Sequence, residues 1–173
     1  MYTCDCCAVN ECQKGTTEHL PKNCPMLHME KYEEPMKEYG KPENKEFYIK
    51  ASEIEALGYG RWVRLKEIIE FSRNMGYHKL GMAFCYGLRK EAKIIGSILR
   101  KHGFEVVSVI CKNGSVPKDT IGIEARVAPD KFEAMCNPIM QAELLNEQDT
   151  EFNIVVGLCV GHDSLFYKYS RLW

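Results

Sequence analysis

Asn153-Ile-Val-Val-Gly-Leu-Cys-Val-Gly-His-Asp-Ser-Leu-Phe166 predicts a buried strand, a glycine-containing loop and the first turn of a helix. Its short, apolar and β-branched run is typical of a parallel strand that is covered on both faces. Gly157 and Gly161 allow the chain to turn sharply, and Asp163 is a candidate helix N-cap. Cys159 is therefore predicted at the carboxyl end of a strand, which is the edge where open α/β sheets bind ligands.

The same succession of strand and cysteine occurs twice earlier in the chain. Lys79–Phe84 predicts a strand that ends at Cys85, and Glu105–Ile110 predicts a strand that ends at Cys111. Between them, Leu88–His102 carries its apolar residues on one helical face. A strand, a helix and a second strand in this order indicate a βαβ unit with parallel strands and a right-handed crossover.

Further helical segments surround this unit. The predicted helices and helical turns are Arg61–Met75, Val116–Ile123, Pro129–Met135 and Ile139–Glu147. Pro138 is well placed in the first turn of the last of them, and Cys136 precedes it directly. Gln141 and Glu143 are interpreted as solvated positions of that helix. We therefore predict an α/β fold of the Rossmann-like, three-layer α/β/α type with a mostly parallel sheet over residues 61–173.

Composition narrows the classes of partner. The net charge of −1 argues against the broad basic surface of a nucleic-acid-binding protein. No apolar run approaches the ~20 residues that span a bilayer, and the chain does not open with a signal-peptide pattern. We therefore expect a cytoplasmic protein with no nucleic-acid or membrane partner. In that reducing compartment, nine cysteines indicate metal ligands or redox thiols.

Residues 1–30 are predicted to form a cysteine-rich metal-binding module, because they hold too few apolar residues for a core of their own. Four of their cysteines follow a C-x2-C-x4-C…C-P pattern: Cys4, Cys7, Cys12 and Cys24. A Zn ion or a [4Fe–4S] cluster accepts four such thiolates. Cys6 is predicted to be the spare cysteine. The alternative is a reduced arm without metal.

Residues 31–60 are polar and charged, with scattered proline and glycine, and predict a linker that wraps the domain. Within this segment, Ser52-Glu-Ile-Glu55 fits a capping box and predicts the start of a short helix.

A second group of thiols is predicted at the carboxyl edge of the sheet. Its members are Cys85, Cys111, Cys136 and Cys159. Helix N-termini at that edge favour thiolates, which bind metals or attack electrophiles. His162, three residues after Cys159, is a candidate ligand or proton carrier, and the alternative is a loop histidine near a helix start. For each cysteine alone, the alternative is a small buried apolar side chain. No residue is assigned a catalytic role.

Several motifs resemble one family. They are Phe84-Cys-Tyr-Gly-Leu88, Ser108-Val-Ile-Cys-Lys112, Met135-Cys-Asn-Pro-Ile139, Gln141-Ala-Glu-Leu-Leu-Asn146 and Gly157-Leu-Cys-Val-Gly-His-Asp-Ser-Leu-Phe166. Together with the N-terminal cysteines, they are similar to a prokaryotic, largely uncharacterised family described as metal-binding, the domain of unknown function 1847. The resemblance implies metal binding and no established reaction. It also implies a further strand after the last helix, whereas this chain ends at Trp173.

The sequence thus predicts a metal-binding protein with two thiolate sites, holding Zn or Fe–S and serving redox chemistry or metal handling. The partners would be the metal ion or cluster and a small-molecule or redox partner. One alternative is an enzyme that uses the strand-edge thiolates and His162 on a small substrate. Another is a partner-binding protein whose metal is purely structural.

Overall fold

The computed structural model describes residues 1–172, which divide into two compact units, one ending at Glu53 and one starting at Ile54. The α-helices that begin in the first unit are α1 (Glu11–Lys14), α2 (Glu33–Tyr39) and α3 (Pro42–Gly58). Short 3₁₀ helices lie at Cys4–Cys6, Pro25–Leu27 and Met29–Tyr32. No helix within residues 1–172 is long and apolar enough to cross a membrane.

The segment 31–60 is more helical than its composition indicates. Helices α2 and α3 occupy most of it, and Ser52 lies inside α3. The expected start of a short helix at Ser52 is therefore wrong. Helix α3 starts with Pro42, which suits a first turn, and contains no further proline, and no glycine before its last residue, Gly58. The division into segments 1–30, 31–60 and 61–173 stays a prediction.

The second unit alternates helices and strands. In chain order these elements are α4 (Arg64–Asn74), β1 (Lys79–Phe84), α5 (Arg89–Lys101), β2 (Glu105–Ile110), α6 (Pro138–Glu147), β3 (Phe152–Val156) and α7 (His162–Tyr169). The first two strands have their predicted bounds. The third includes Phe152 and ends before Leu158, because Gly157 takes a positive φ of 59° that ends the extended backbone.

The three strands form one parallel sheet in the order β2-β1-β3. In the central strand, Phe84 pairs with Ile110 on one side and with Val156 on the other. The carboxyl ends of all three strands therefore lie level at one edge. The α/β class and the parallel sheet are as the sequence predicted.

Two apolar clusters hold the helices against the sheet. Leu80 of β1 packs in one cluster with residues of α4, α5 and β3, and Ala83 of β1 packs in the other with residues of α6 and α7. The buried members are Ile69, Leu80, Leu99, Phe104 and Ile154 in the first, and Ala83, Ala142, Leu145 and Phe166 in the second. Each helix that follows a strand thus has its start fixed near the carboxyl edge.

Two local expectations are wrong. Pro129–Met135 contains no helix, and Ala134 instead forms an isolated antiparallel bridge with Pro117. Helix α7 begins at His162 with Gly161 as its N-cap, so Asp163 does not cap it. The Asp163 carboxylate accepts a hydrogen bond from the adjacent Ser164 N–H, at 2.8 Å. Gly161 takes the cap position because the chain reaches the helix through a left-handed turn, with φ of 78°.

Candidate metal centre

The first two strand-end cysteines lie side by side. The Cys111 N–H donates to the Phe84 carbonyl at 2.9 Å, and the Cys85 N–H donates to the Val156 carbonyl at 3.1 Å. These bonds extend the sheet ladder by one residue on each side of β1. Both cysteines therefore begin their loops at the carboxyl edge, as the sequence predicted.

The strand order reverses direction at this edge of the sheet. The chain leaves β1 for β2 on one side, and later reaches β3 on the opposite side of β1. In open parallel sheets such a reversal opens a crevice outside the carboxyl ends of the strands, between the diverging loops. Cys85 follows β1 and Cys159 follows β3, so the two cysteines flank that position.

Cys136 reaches the same edge although no strand precedes it. It lies near the end of the segment 112–137, here called the crossover loop. The Asn137 N–H donates to the Cys111 carbonyl at 2.8 Å, and Lys112 Nζ donates to the Ala134 carbonyl at 2.6 Å. These two bonds close the loop at its base, on both sides of Cys136.

Further contacts continue this closure away from the sheet. The Met135 N–H donates to the Val116 carbonyl at 2.8 Å, and Lys118 pairs with Glu133 at 2.7 Å. The Lys118 ammonium, followed by the Val127 and Ala128 N–H groups, lowers the pKa of the Glu133 carboxyl against the effect of burial. The two ends of the crossover loop are thus held together by backbone hydrogen bonds and by an ion pair.

Three atoms that could bind a metal lie close together at this edge. The sulfurs of Cys136 and Cys159 and a ring nitrogen of His162 all lie within 4.8 Å of one another. His162 is placed by a turn in which its N–H donates to the Cys159 carbonyl at 2.9 Å. Within residues 1–172, this is the one group of three or more Cys, His, Asp or Glu donors that lie this close together.

Gly157 lets the loops after β1 and β3 approach each other. A Cβ atom at this position would lie 2.2 Å from Leu88 Cδ1, well inside contact distance. Leu88 ends the short 3₁₀ helix that follows Cys85. The glycine therefore sets how closely the Cys159 loop approaches the Cys85 loop.

Cys111 is the buried cysteine of this edge, with 2% of its surface exposed. Its sulfur accepts a hydrogen bond from the Tyr86 N–H at 3.2 Å. Burial raises the pKa of Cys111 to about 11; the Tyr86 N–H works against that rise, and the Cys136 and Cys85 thiols add to it. Partial burial, then the neighbouring Cys136 and Cys85, likewise raises the pKa of Cys159.

Two of the strand-edge cysteines, Cys85 and Cys136, therefore act electrostatically on the other two, Cys111 and Cys159. Ionising Cys111 or Cys159 is opposed by these two neighbours in the absence of a cation, and a bound metal ion removes that opposition. The role of all four strand-edge cysteines as metal ligands, and that of His162, stays a prediction.

Gln141 supports the edge from α6, which its polar character did not indicate. The side chain is fully buried, and its Nε2 donates to the Val109 carbonyl at 2.7 Å and to the Phe84 carbonyl at 3.3 Å. It therefore ties together the ends of β1 and β2, and its interpretation as a solvated residue is wrong. Its spacing of four residues from buried Leu145 is the signal that could have placed it on the inner helix face.

The N-terminal cysteines lie in the first unit. A hydrogen bond from Asn23 Nδ2 to Thr3 Oγ1 brings together the chain segments that carry Cys4 and Cys24. The N–H of Asn10, and secondarily that of Val9, lowers the pKa of the Cys7 thiol. No three N-terminal donors lie within 4.8 Å of one another in the described part of the chain. The four-cysteine site there stays a prediction.

Fold and geometry together define a cysteine-rich α/β protein with a candidate Cys/His metal site. The chain belongs to the family described as "Protein of unknown function (DUF1847)", which matches residues 24–172. The match begins at Cys24, so the cysteines before it lie outside the matched region.

A relative is known from Methanocaldococcus jannaschii, the uncharacterized protein MJ0455. It is 52% identical over 136 residues, which cover 79% of this chain and 69% of that protein. No solved structure matches the chain significantly.

Proposed function

We propose that this protein binds a transition-metal ion or cluster at the carboxyl edge of its sheet. The proposed ligands are Cys85, Cys111, Cys136 and Cys159, with His162 as a further donor. The observation that carries the proposal is the approach of two sulfurs and one imidazole nitrogen to within 4.8 Å. Sulfurs that share one Zn ion lie about 4 Å apart, because each Zn–S bond is about 2.3 Å long.

The donor set selects the class of metal. Thiolate and imidazole are soft or borderline ligands, which suit Zn and Fe–S clusters better than Mg or Ca. Four thiolates can hold either Zn or a [4Fe–4S] cluster. We propose redox chemistry or metal handling in the cytoplasm as the role of this site, with a small-molecule or redox partner. The nine free cysteines support a reducing compartment.

The layered architecture is part of this proposal. Leu80 and Ala83 are three residues apart on β1, so their side chains point to opposite faces of the sheet. Each belongs to a different apolar cluster, with different helices. This supports a Rossmann-like, three-layer arrangement, in which helices that start at the carboxyl edge direct their N-termini toward the thiolates.

A second site is proposed for Cys4, Cys7, Cys12 and Cys24 in the first unit. It rests on their spacing, on the hydrogen bond that joins the segments carrying Cys4 and Cys24, and on the backbone N–H groups that face the Cys7 sulfur. Backbone N–H donors stabilise a thiolate, which is the form that binds metal.

An enzyme remains the second candidate, favoured by one observation. Cys136, Cys159 and His162 form a three-ligand set, and catalytic zinc sites combine three protein ligands with one open position for water or substrate. A Zn ion held by these three residues would leave such a position at the ligand-binding edge of the sheet.

Metal analysis of site variants tests both proposed sites. We expect anaerobically purified protein to contain metal at two sites, with sulfide present only if a cluster is bound. Cys159→Ser should remove the edge metal alone, Cys12→Ser the N-terminal metal alone, and Cys6→Ser neither. His162→Asn should weaken binding of the edge metal, whereas the matched control His102→Asn, at an exposed histidine before β2, should not. Full metal content in both Cys159→Ser and Cys136→Ser would refute the edge site.

A further inference from the structure

Cys136 and Cys159 also have the geometry of a redox pair. Both are free thiols, and their sulfurs lie within 4.8 Å of each other. A disulfide requires an S–S distance of about 2.05 Å, so a relative movement of at most about 3 Å closes the pair. We propose that these two cysteines form a reversible disulfide when a low-molecular-weight disulfide, such as oxidised glutathione, reaches the edge.

The loop that carries Cys159 can supply this movement. It lies between Gly157 and Gly161, which both have positive φ, and the intervening Val160 is 98% exposed. A shift of this loop leaves the β3 ladder intact, because β3 ends at Val156.

The step balances with the named oxidant. The exposed Cys159 thiolate attacks one sulfur of the oxidant, forms a mixed disulfide and releases one thiolate. The Cys136 thiolate then attacks the Cys159 sulfur and displaces the second thiolate. The protons of the two cysteine thiols end on the two thiolates that the oxidant releases. Two cysteine thiols are oxidised, and one molecule of oxidant is reduced to two thiols.

The other two strand-edge cysteines are less suited to this exchange. Cys111 is 2% exposed, and both its N–H and its carbonyl are held in backbone hydrogen bonds. Cys85 is fixed at the end of β1 by its N–H bond to Val156 and by the Leu88 N–H bond to its carbonyl. Cys159 is the exposed cysteine of this edge, and it lies on the loop between two glycines. Cys136 is the cysteine whose sulfur lies within 4.8 Å of the Cys159 sulfur.

The disulfide and the edge metal exclude each other, since a disulfide sulfur is no longer a thiolate ligand. This exclusion rests on the proposed function, whereas the disulfide itself does not. Oxidation would therefore release the edge metal, and bound metal would protect the pair.

Peptide mapping of the full chain tests the proposal. Residues 132–167 contain no lysine or arginine, so trypsin releases one peptide, 132–168, which ends at Lys168 and carries both Cys136 and Cys159 and no other cysteine. Cys85 and Cys111 fall in separate tryptic peptides. Metal-free protein is treated with oxidised glutathione, its remaining thiols are alkylated, and it is then digested. We expect peptide 132–168 to remain unalkylated and to be lighter by two hydrogens than its reduced form.

Each other outcome has a meaning. A cross-link from this peptide to the Cys85 or Cys111 peptide, stable glutathionylation, or full alkylation would overturn the proposal. In Cys136→Ser, Cys159 should retain glutathione, whereas Cys6→Ser should still form the internal disulfide. Prior loading with Zn should slow its formation at least about tenfold. An internal disulfide in a protein that binds no edge metal refutes the proposed function alone, and a metal-binding protein without it refutes this inference alone.

Discussion

Gly157 and Gly161 flank Cys159 and share a left-handed backbone, but only Gly157 is crowded. A Cβ at Gly157 would lie 2.2 Å from Leu88 Cδ1, whereas a Cβ at Gly161 would meet nothing within 4 Å. Both alanine variants are strained by roughly 1 kcal/mol or more because of their positive φ. Gly157→Ala must also force Leu88 off its rotamer, so we expect it to lower the free energy of unfolding by about 1 kcal/mol more than Gly161→Ala.

Urea unfolding of the metal-free variants measures this difference. Because Leu88 follows the Cys85 loop, Gly157→Ala should also weaken metal binding at the edge. Adding Leu88→Ala should relieve the contact and make the double-mutant effect smaller than the sum of the single effects. Equal losses for the two glycine variants would show that the close approach does not constrain the loops.

At the residue scale, the sequence located some site residues and missed others. Cys85 and Cys111 could be placed because apolar, β-branched runs end directly before them. The burial of Gln141 could not be predicted from its polar side chain. It depends on hydrogen bonds to two strand-end carbonyls, which come from distant parts of the chain. Asn153 lies in β3 as predicted, but its burial, with 7% of its surface exposed, and its hydrogen bond to Ser170 Oγ at 3.0 Å have no signal in the sequence. Such polar contacts are set by tertiary structure.

At the element scale, the crossover loop determines where Cys136 lies. Lys112→Met removes the charged hydrogen bond to the Ala134 carbonyl, an interaction of roughly 1.5–3 kcal/mol. We expect this variant to bind the edge metal about tenfold more weakly or worse, because every 1.4 kcal/mol corresponds to a factor of ten in affinity. Metal competition titration of the purified variant measures the change.

Lys131→Met is the matched control, since Lys131 is an exposed lysine of the same loop. It should leave metal affinity unchanged. If Lys112→Met binds metal as tightly as the unmodified protein, the base of the loop does not position Cys136, and the convergence depends on other contacts.

The accuracy of the predicted elements follows from the strength of their local signals. The strands β1 and β2 and the helices α4 and α5 have clear periodicity, and their bounds differ by one residue at most from the prediction, apart from the N-terminus of α4. The crossover loop lacks periodicity, and its structure comes from the Pro117–Ala134 bridge and the Lys118–Glu133 pair. Those contacts join residues far apart in sequence, so no short window predicts them.

At the scale of the whole molecule, the sequence predicted parallel strands but not their order. The βαβ unit required β1 and β2 to be parallel, whereas nothing local placed β3 on the other side of β1. That order places Cys85 and Cys159 after two adjacent strands, β1 and β3, where open parallel sheets bind ligands. The two edges of the sheet then differ in character, since the thiols lie at the carboxyl edge and a carboxylate lies at the amino edge.

That carboxylate belongs to Glu151, which accepts hydrogen bonds from the N–H groups of His78 and Lys79, both at 2.6 Å. Burial raises the pKa of Glu151, but the two N–H donors and the positive charge of both neighbours outweigh it and lower the pKa overall. A carboxyl whose pKa falls on folding stabilises the folded state when ionised. That contribution is complete above the unfolded pKa of about 4.3 and is lost as pH falls through the folded pKa.

Glu151→Gln should therefore lower the free energy of unfolding by about 1 kcal/mol at pH 7, since the neutral amide retains only a weaker acceptor. The difference from the unmodified protein should shrink as the pH falls below about 4, which urea unfolding at several pH values measures. The amino edge lies about 20 Å from the thiols, the length of a six-residue strand, so metal affinity at pH 7 should not change. A stability difference independent of pH would show that the charge of Glu151 does not stabilise the fold. A loss of metal would show that the effect of Glu151 is not confined to the amino edge of the sheet.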